Sequence, residues 1–377
     1  MNNSVAIIGT RGYPSYYGGF ETLVRELAPF LTNHGWDVTV YGRKGAIRSD
    51  DPAMDPRVRR VTTLGIETKS LSTLSYGLTS SAHAAIRRHD VALVMNVANG
   101  FWLPVLRASG IPTVVNVDGI EWEREKWGRK AKAAFRLGAK LTARFATDLV
   151  FDSREIERRW SHEFNRTGEY IPYGANEPEQ LEPTEGLAPG AYALAVARFV
   201  PENTIEEFFQ SAEQLSQKWD VVIVGSSGYG GPLDEKARAI SDSNPRIHWL
   251  GHISDDTKLF SIWQNAGVYF HGHSVGGTNP ALVQAMACGV PIVARDTPYN
   301  REVLQDAGIL VAPTADAITK ELDRVLSNRE FQSQLGISAR RRQQENYTWH
   351  QVCSDYETAL RNAIRPNSPE AVNSRVP

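Results

Sequence analysis

Short apolar runs alternate with amphipathic stretches along most of the chain, and this pattern predicts strands that alternate with helices. The runs are almost continuously apolar and rich in β-branched residues, which is typical of parallel strands covered by helices on both faces. Before residue 170 the predicted strands are VAIIG (5–9), DVTVYG (37–42), VALVMNV (91–97), PTVVNVDG (112–119) and DLVFDS (148–153).

A segment at 170–190 packs prolines, glycines and acidic residues together and predicts a linker. The alternation then restarts, which indicates an α/β protein of two Rossmann-like, doubly wound parallel-sheet domains that face a central cleft. The later predicted strands are AYALAVARF (191–199), DVVIVG (220–225), RIHWLGHI (246–253), GVYFHGHS (267–274), VPIVAR (290–295) and GILVAP (308–313).

The pattern also predicts domain boundaries. We expect a first domain at 1–172 and a second at 190–345. A helical pattern at about 349–364 follows the second domain, and we expect this helix to pack back on the first. Residues 365–377 are predicted to form a disordered tail, as chain termini often do.

Composition excludes several classes of protein. The chain has 41 basic and 43 acidic residues, and this balance argues against a dedicated nucleic-acid binder. Its two cysteines, Cys288 and Cys353, lie far apart in sequence and indicate a reducing compartment rather than a disulfide scaffold. The first residues predict no signal peptide, and no apolar run predicts a membrane span. We therefore expect a cytoplasmic protein that is soluble or peripheral to a membrane.

The loop after the first predicted strand, GTRGYPSYYGGFET (9–22), is rich in glycine. Gly18 and Gly19 precede a helix, where the backbone can approach an anion closely. The alternative is that these glycines are only turn residues. A dinucleotide site is disfavoured, because the loop lacks G-x-G-x-x-G and the second predicted strand ends without an acid for a ribose.

The stretch HGHSVGGTNPALVQAMACGVP (271–291) predicts a second loop that leads into a helix. Asn279 is suited to cap that helix, with Pro280 as its first residue. The amides of Gly277, Thr278 and Asn279 would then point at one phosphate, and Gln284 could offer an amide to a sugar hydroxyl.

His271 and His273 form an H-x-H pair within this stretch. We expect no metal site there, because no third ligand stands nearby and strand alternation puts both side chains on one packed face. Arg198 ends the first predicted strand of the second domain, where a guanidinium can clamp a diphosphate. The alternative for Arg198 is an ordinary surface ion pair.

Together these segments resemble the retaining family-four glycosyltransferases of GT-B fold. The resemblance rests on ARFVPEN, on AGVYFHGHSVGGTNPALVQAMACGVPIVA, on GTRGYPSYYGGFETLV and on NVDGIEWEREKWG. The last two are similar to a subgroup that includes bacterial β-1,4-rhamnosyltransferases of capsule and cell-wall polysaccharide assembly. That subgroup implies transfer of L-rhamnose from dTDP-L-rhamnose to a saccharide on an undecaprenyl diphosphate carrier. A UDP- or GDP-hexose donor remains an alternative.

The resemblance implies roles for the two domains, with the acceptor bound by the first and the nucleotide sugar by the second. Gly18 and Gly19 would face the donor diphosphate from the first domain. In the second domain, Arg198 and the amides of Gly277, Thr278 and Asn279 would bind the diphosphate. The backbone near Ile253 would contact the base, and Gln284 would contact the ribose. No metal or other cofactor is implied.

This chain departs from the family pattern at three positions. The family commonly has glutamates where Gly276 and Gln284 stand, and often a lysine where Asn203 stands. Loss of the first glutamate is compatible with a deoxy-sugar donor. Loss of the lysine suggests that backbone amides neutralise more of the diphosphate charge. A non-catalytic protein that binds nucleotide sugars is therefore a further alternative.

Two carboxylates are candidates for catalysis. Asp118 follows a predicted strand, at the end where it could polarise the acceptor hydroxyl or stabilise a positive anomeric centre. It could instead cap the turn that follows. Glu121 is the second candidate, and the resemblance also implies a scheme in which the departing diphosphate oxygen takes the acceptor's proton.

Residues 126–144 hold seven basic residues and no acidic residue. Lys132, Arg136, Lys140 and Arg144 recur about every four residues and should share one helix face with Trp127 and Phe135 nearby. We expect this face to contact an anionic membrane, the alternative being a solvated helix face.

Overall fold

A computed structural model of the protein describes residues 2–16, 18–44, 51, 53–67, 72–125, 127–228 and 230–365. The chain divides into two units. The first unit consists of residues 1–123, 127–172 and 350–377, and the second consists of residues 124–126 and 173–349. Apart from Arg365, the tail that the sequence predicts to be disordered lies outside the described residues.

Thirteen strands occur in the described residues. They are β1 (Ser4–Ile8), β2 (Asp37–Gly42), β3 (Arg59–Thr62), β4 (Val91–Met95), β5 (Thr113–Asn116), β6 (Asp148–Phe151), β7 (Glu169–Tyr170), β8 (Tyr192–Val196), β9 (Asp220–Val224), β10 (Ile247–Gly251), β11 (Val268–His271), β12 (Ile292–Arg295) and β13 (Ile309–Val311).

The α-helices of the described residues lie mostly between these strands. They are α1 (Gly19–Asn33), α2 (Ser72–Arg87), α3 (Leu103–Ala108), α4 (Arg129–Phe145), α5 (Arg154–Phe164), α6 (Ile205–Leu215), α7 (Pro232–Ser243), α8 (Asp256–Asn265), α9 (Pro280–Ala287), α10 (Pro298–Leu304), α11 (Ala315–Leu326), α12 (Arg329–Asn346) and α13 (Trp349–Ile364). None of them combines the length and the apolarity needed to cross a membrane.

The first unit contains a parallel sheet of seven strands in the order β3-β2-β1-β4-β5-β6-β7. Val5 of β1 lies opposite Val38 on one side and Val91 on the other. All three side chains are almost completely buried, as expected for strands with helices on both faces. The strand order reverses between β1 and β4, which is where an open α/β sheet leaves a crevice for ligands.

The second unit contains a parallel sheet of six strands in the order β10-β9-β8-β11-β12-β13. The order reverses between β8 and β11. Aromatic residues fill the core on one face of this sheet, where the rings of Phe208 and Phe270 stack 5.3 Å apart. The doubly wound α/β architecture predicted from the sequence is therefore confirmed for each unit.

Helix α13 begins at Trp349 and belongs to the first unit from His350 onward. Two buried hydrogen bonds hold it there. Asn116 donates from Nδ2 to the Tyr356 hydroxyl over 2.7 Å, and Trp36 donates from Nε1 to Glu357 over 3.0 Å. The end of β5 is thus tied to the last helix of the chain.

Candidate functional site

The second unit presents a ligand-binding edge where β8 and β11 lie side by side. Arg198 lies two residues beyond β8, and His273 lies two residues beyond β11. Parallel strands end at the same edge of a sheet, and ligands of doubly wound sheets bind there at the reversal of strand order. The two sequence segments that predicted donor binding therefore meet at one edge of one unit.

Arg198 is exposed at this edge. Within the described residues its guanidinium makes no ion pair, so the structure gives no support to the alternative of an ordinary surface pair. Its backbone is held by Asn203, whose Nδ2 donates to the Arg198 carbonyl oxygen over 2.8 Å. Asn203 is buried. The side chain that stands where the family often has a lysine therefore packs inside the protein and stabilises the loop that carries Arg198.

The loop before α9 has the local structure that the sequence predicts. Asn279 caps the helix by accepting a hydrogen bond from the amide of Ala281 over 3.0 Å, and Pro280 is the first helical residue. Gly276 has a φ of 104°, a backbone conformation that residues with a side chain rarely adopt. In the described part of the chain the amides of Gly276 and Gly277 have no hydrogen-bond acceptor. Two adjacent N–H groups beside a helix start form a concave site for an anion.

Arg124 also belongs to this unit. Its Nη2 atom lies 3.8 Å from the point that a Cβ atom on Gly276 would occupy. The guanidinium therefore stands beside the glycine that replaces the family's glutamate. Sequence analysis did not single out Arg124, because it lies about 150 positions before Gly276 and in a segment of mixed charge.

The H-x-H pair lies under this loop as a stacked pair of rings. The rings of His271 and His273 are 4.4 Å apart at 11°. The Tyr269 hydroxyl and Nδ1 of His271 lie 3.0 Å apart, and Asn300 donates to the His273 carbonyl oxygen over 3.0 Å. Among the described residues no cluster of three or more possible ligands for a metal occurs.

Both histidines are held in the neutral form. Burial, with a smaller contribution from His273, lowers the pKa of His271 well below its ordinary value. Burial also lowers the pKa of His273 to about 3, and the guanidinium groups of Arg198 and then Arg124 contribute to this shift. Two cationic side chains therefore act on one neutral imidazole at the edge.

Gln284 and Ile253 are the other predicted donor contacts. The Nε2 atom of Gln284 donates to the Asn176 carbonyl oxygen over 3.1 Å, which leaves its Oε1 atom to accept a hydrogen bond. Ile253 is half-buried in the loop after β10. Their assignment to ribose and base stays a prediction.

In the first unit, the loop after β1 comes very close to the end of β4. A Cβ atom on Gly9 would lie 2.5 Å from the Met95 carbonyl oxygen, so only glycine fits there. Gly18 precedes α1 and Gly19 is its first residue. The buried carboxylate of Glu21 accepts a hydrogen bond from the Arg11 amide over 3.0 Å, and its Oε2 atom lies 3.4 Å from a Cβ position on Gly18. This negative charge offsets the positive end of the helix, and the role of Gly18 and Gly19 stays a prediction.

Asp118 occupies a strained position at the end of β5. Its φ is 62°, and Asn96 at the end of β4 has a φ of 70°. Asn96 donates from Nδ2 to Asp118 Oδ2 over 2.9 Å, while its own Oδ1 accepts from the Ala98 amide over 2.9 Å. The carboxylate is half-buried and, in the described residues, caps no helix. Sequence analysis missed Asn96, although a polar residue directly after an apolar strand was a signal for it.

Glu121 differs from Asp118 in its surroundings. It is 4% exposed and accepts a hydrogen bond from Trp127 Nε1 over 2.9 Å. This contact ties the turn after Asp118 to the start of α4. Of the two predicted catalytic carboxylates, Asp118 is the more accessible.

Helix α4 presents a basic outer face, with Lys126 outside the described residues. Lys140 and Arg144 are exposed, whereas Lys132 is half-buried and Arg136 pairs with Glu163 over 2.9 Å. The predicted aromatic pair is half-buried, with the rings of Trp127 and Phe135 5.3 Å apart. The exposed apolar residue of this face is Leu137, at 49%.

Two protein families match this chain. Residues 181–342 match the family described as Glycosyl transferases group 1, and residues 17–176 match the family described as Glycosyltransferase Family 4. Between them the two matches span most of the chain.

Individual proteins that resemble this chain share less than a third of its residues in the aligned regions. The chain is 28% identical to an uncharacterized glycosyltransferase of Methanocaldococcus jannaschii, MJ1069, over 43% of this chain and 42% of the relative. It thus spans less than half of that relative's length. It is 24% identical to the MMP alpha-(1->4)-mannosyltransferase of Mycolicibacterium hassiacum, over 96% of this chain and 98% of the relative. Among solved structures it is similar to Anabaena HepE in complex with UDP-glucose, with a TM-score of 0.74 over 96% of this chain and 100% of that one, at 14% identity. This last likeness shows the fold alone.

Proposed function

Because the chain belongs to the group 1 and family 4 glycosyltransferases, which have the GT-B fold, we propose that it transfers a sugar from a nucleotide-sugar donor to a saccharide acceptor. One observation carries the proposal. Arg198, the amides of Gly276 and Gly277 and the start of α9 converge on one edge of the second sheet. Such an edge suits the diphosphate of a nucleotide sugar, which carries the negative charge that these groups attract.

The donor that we propose is dTDP-L-rhamnose. Its support is the resemblance of the loops at 9–22 and 116–128 to those of rhamnosyltransferases, together with glycine at position 276. L-Rhamnose lacks the 6-hydroxyl of a hexose, so a carboxylate that binds sugar hydroxyls has less to contact. A UDP- or GDP-hexose is the second candidate, because one relative is named a mannosyltransferase and the similar HepE structure holds UDP-glucose.

The acceptor that we propose is a saccharide on undecaprenyl diphosphate, used in bacterial cell-surface polysaccharide biosynthesis. Such an acceptor lies in the plasma membrane, so the enzyme would work at the cytoplasmic face of that membrane. The exposed basic face of α4 supports this proposal, because Lys140 and Arg144 would be attracted to anionic lipid headgroups while Leu137 enters the interface.

The proposed reaction retains the configuration at the anomeric carbon. The bond from this carbon to the diphosphate oxygen breaks, a bond to the acceptor oxygen forms, and the acceptor's proton passes to the departing diphosphate oxygen. Asp118 would stabilise the positive charge that develops on the sugar. The negative charge of the diphosphate is balanced by guanidinium and amide groups, so the scheme requires no metal ion or other cofactor.

A donor panel tests the proposal. The purified protein is incubated with dTDP-L-rhamnose, UDP-glucose and GDP-mannose, and both the melting temperature and the release of nucleotide are followed. Bound donor should raise the melting temperature by stabilising the native state. Arg198→Ala should abolish this shift, whereas Arg341→Ala, an exposed residue of α12, should not.

Four outcomes are distinct. A shift with dTDP-L-rhamnose and sugar transfer to a lipid-linked saccharide would support the whole proposal. A shift and transfer with another donor would replace rhamnose by that sugar. Binding without turnover on any acceptor would favour the non-catalytic nucleotide-sugar-binding protein, and the absence of any binding would reject the proposal.

A further inference from the structure

Four of the eight large apolar side chains that are exposed in the described residues lie on one surface of the first unit. This surface consists of helix α2 and the loop at 63–67 that follows β3. We call it the α2 patch, and its apolar members are Leu64 at 81% exposure, Ile66 at 59%, Leu78 at 40% and Ile86 at 79%. Single exposed apolar residues are normal in soluble proteins, whereas a cluster of them is typical of a surface that contacts another molecule.

The loop of the α2 patch contacts the helix through its backbone. The Thr79 hydroxyl donates a hydrogen bond to the Leu64 carbonyl oxygen over 2.7 Å. A Cβ atom on Gly65 would lie 2.5 Å from the ring of Tyr76, so there is no room for a side chain at the contact with the helix. The side chains on either side of this glycine, Leu64 and Ile66, stay exposed although a helix lies beside them.

Four exposed arginines flank the α2 patch. Two lie on the edge strand β3, and two lie at or directly after the end of α2: Arg59, Arg60, Arg87 and Arg88. None of the four forms an ion pair with another residue that the structure describes. The acidic residues of the segments 59–67 and 72–90 are Glu67 and Asp90, so these segments carry more basic than acidic side chains.

The two pairs of arginines lie at the same level of the unit. The hydroxyls of Thr63 and Ser80 are 3.0 Å apart, so the end of β3 contacts the middle of α2. The helix then returns to begin β4, a strand of the same parallel sheet as β3. Its last turn therefore comes back towards the start of β3, where Arg59 and Arg60 lie.

Helices α2 and α4 lie on the same face of the first sheet. The connections from β3 to β4, from β4 to β5 and from β5 to β6 all move in one direction along the strand order. Connections between parallel strands are right-handed, so the helices of these three connections share one face. Both α2 and α4 also pack against the turn at Val97–Trp102. One extended partner can therefore contact the α2 patch together with Lys140 and Arg144 of α4.

An anionic bilayer is the partner that matches the α2 patch in both polarity and charge. Exposed leucine and isoleucine side chains enter the boundary between headgroups and acyl chains, while basic side chains beside them contact lipid phosphates. A symmetric contact between two copies of the chain would instead bring the four arginines of each copy together, and like charges repel. Helix α4 supplies mainly charge, with Leu137 as its exposed apolar residue, whereas the α2 patch supplies apolar surface as well.

We propose, on the basis of the membrane-embedded acceptor of the proposed function, that the α2 patch binds the anionic bilayer that holds this acceptor. Leu64 and Ile66 insert into the interfacial layer, and the flanking arginines contact lipid phosphates. The basic face of α4 adds electrostatic attraction over a longer distance, which salt screens, whereas the apolar contact of the α2 patch is independent of salt.

The first test is sedimentation with vesicles of phosphatidylglycerol and phosphatidylcholine at low and at high salt. The double variant Leu64→Ser and Ile66→Ser should bind at least about tenfold more weakly than the wild type at both salt concentrations, because apolar burial is lost. The matched control is Leu250→Ser with Ile337→Ser, which removes two exposed apolar side chains from the second unit and should leave binding within about twofold of the wild type. The donor-induced rise in melting temperature should persist in both double variants, which shows that they fold.

The second test measures insertion directly. Cys288 and Cys353 are buried, so a cysteine introduced at an exposed position can be labelled selectively with the environment-sensitive fluorophore NBD. On addition of the same vesicles, the emission of the label at Leu64→Cys should increase and shift to the blue. The label at Ile337→Cys, an exposed position of α12, should not respond.

The outcomes separate this inference from the proposed function. Equal vesicle binding by the two double variants, with no spectral response at position 64, would overturn the role of the α2 patch and leave sugar transfer untouched. If the wild type eluted as a dimer and Leu64→Ser with Ile66→Ser as a monomer, the patch would be an interface between copies, and this too would overturn the inference. Vesicle binding through the patch by a protein that bound no nucleotide sugar would reject the proposed function and support the membrane surface.

Discussion

Asn96 donates a hydrogen bond from Nδ2 to Asp118 Oδ2 over 2.9 Å, and both residues have a left-handed backbone. The two lie at the ends of the neighbouring strands β4 and β5. Residues held in such conformations cost about 1–3 kcal/mol each and persist where the surrounding structure requires them. Because the Oδ1 atom of Asn96 accepts from the Ala98 amide, the orientation of its side-chain amide is determined. The carboxylate of Asp118 is therefore held in one direction.

The first prediction concerns this pair. Asp118→Asn should lower kcat about 100-fold or more, with little change in the KM for the donor, because the negative charge would stabilise the transition state. Asn96→Ala should lower kcat about tenfold by releasing the carboxylate. Initial rates with the donor identified by the panel measure both effects. If Asp118→Asn reduced the melting temperature but kept full kcat, Asp118 would be structural.

The second prediction concerns Gly276. Gly276→Ala should lower the free energy of unfolding by about 1–3 kcal/mol, because φ of 104° is strained for any residue with a Cβ atom. It should also weaken donor binding, since relief of the strain would move the amides of Gly276 and Gly277 away from the positions that we propose for diphosphate binding. Urea unfolding and calorimetry measure the two effects. Gly231→Ala is a matched control, because Gly231 has extended backbone and an open Cβ position. Equal stability of the two variants would contradict the strain argument.

The third prediction concerns pH and His271. In the folded protein its pKa is lowered, whereas in the unfolded chain it should be close to 6.5. As pH falls below about 6.5, the unfolded state takes up a proton that the folded state does not, so the free energy of unfolding falls. His271→Gln removes the part of this dependence that His271 contributes, while the part due to His273 remains.

The measurement is urea unfolding of the wild type and His271→Gln at pH 8, 7, 6 and 5. Below pH 6 the wild type should lose up to about 1.4 kcal/mol more per pH unit than the variant. Between pH 8 and 7 the difference between the two proteins should stay constant. A constant difference down to pH 5 would mean that His271 is protonated in the folded state.

The fourth prediction concerns α4 and membranes. The double variant Lys140→Glu and Arg144→Glu should bind vesicles of phosphatidylglycerol and phosphatidylcholine at least about tenfold more weakly than the wild type, because each basic residue near an anionic surface contributes about 1 kcal/mol. Raising the salt concentration should weaken wild-type binding. Vesicle sedimentation measures both. The control double variant Lys320→Glu and Arg341→Glu makes the same change of charge on the second unit, and equal loss of binding in the two variants would indicate a net-charge effect alone.

The fold could be predicted from the sequence wherever the apolar pattern was strong. The eleven strands expected from buried, β-branched runs are present, with ends shifted by a few residues. The two strands that were missed, β3 and β7, have the sequences RRVT and EY. Both lie at the edges of the first sheet, where a strand is paired on one side only and need not be apolar.

The candidate site could be predicted only in part. Three features could be predicted because each has a local signal in the sequence. Arg198 follows a predicted strand, the loop at Gly276 contains a pair of glycines, and the cap at Asn279 belongs to an Asn-Pro dipeptide. Arg124 and Asn96 were missed as partners, because each acts on a residue distant in sequence. Nothing in a linear pattern states which of many arginines will lie beside a given glycine.

The sequence by itself determined the class of the protein: its alternating strands and helices, its two sheets and the loops that suit a phosphate. These features follow from backbone geometry and side-chain burial within short segments. The tertiary structure alone decided which charges meet. It joined Asn96 to Asp118 across two strands and placed Arg124 beside Gly276 within the second unit, because the order of strands in a sheet and the folded path of the chain bring distant residues together.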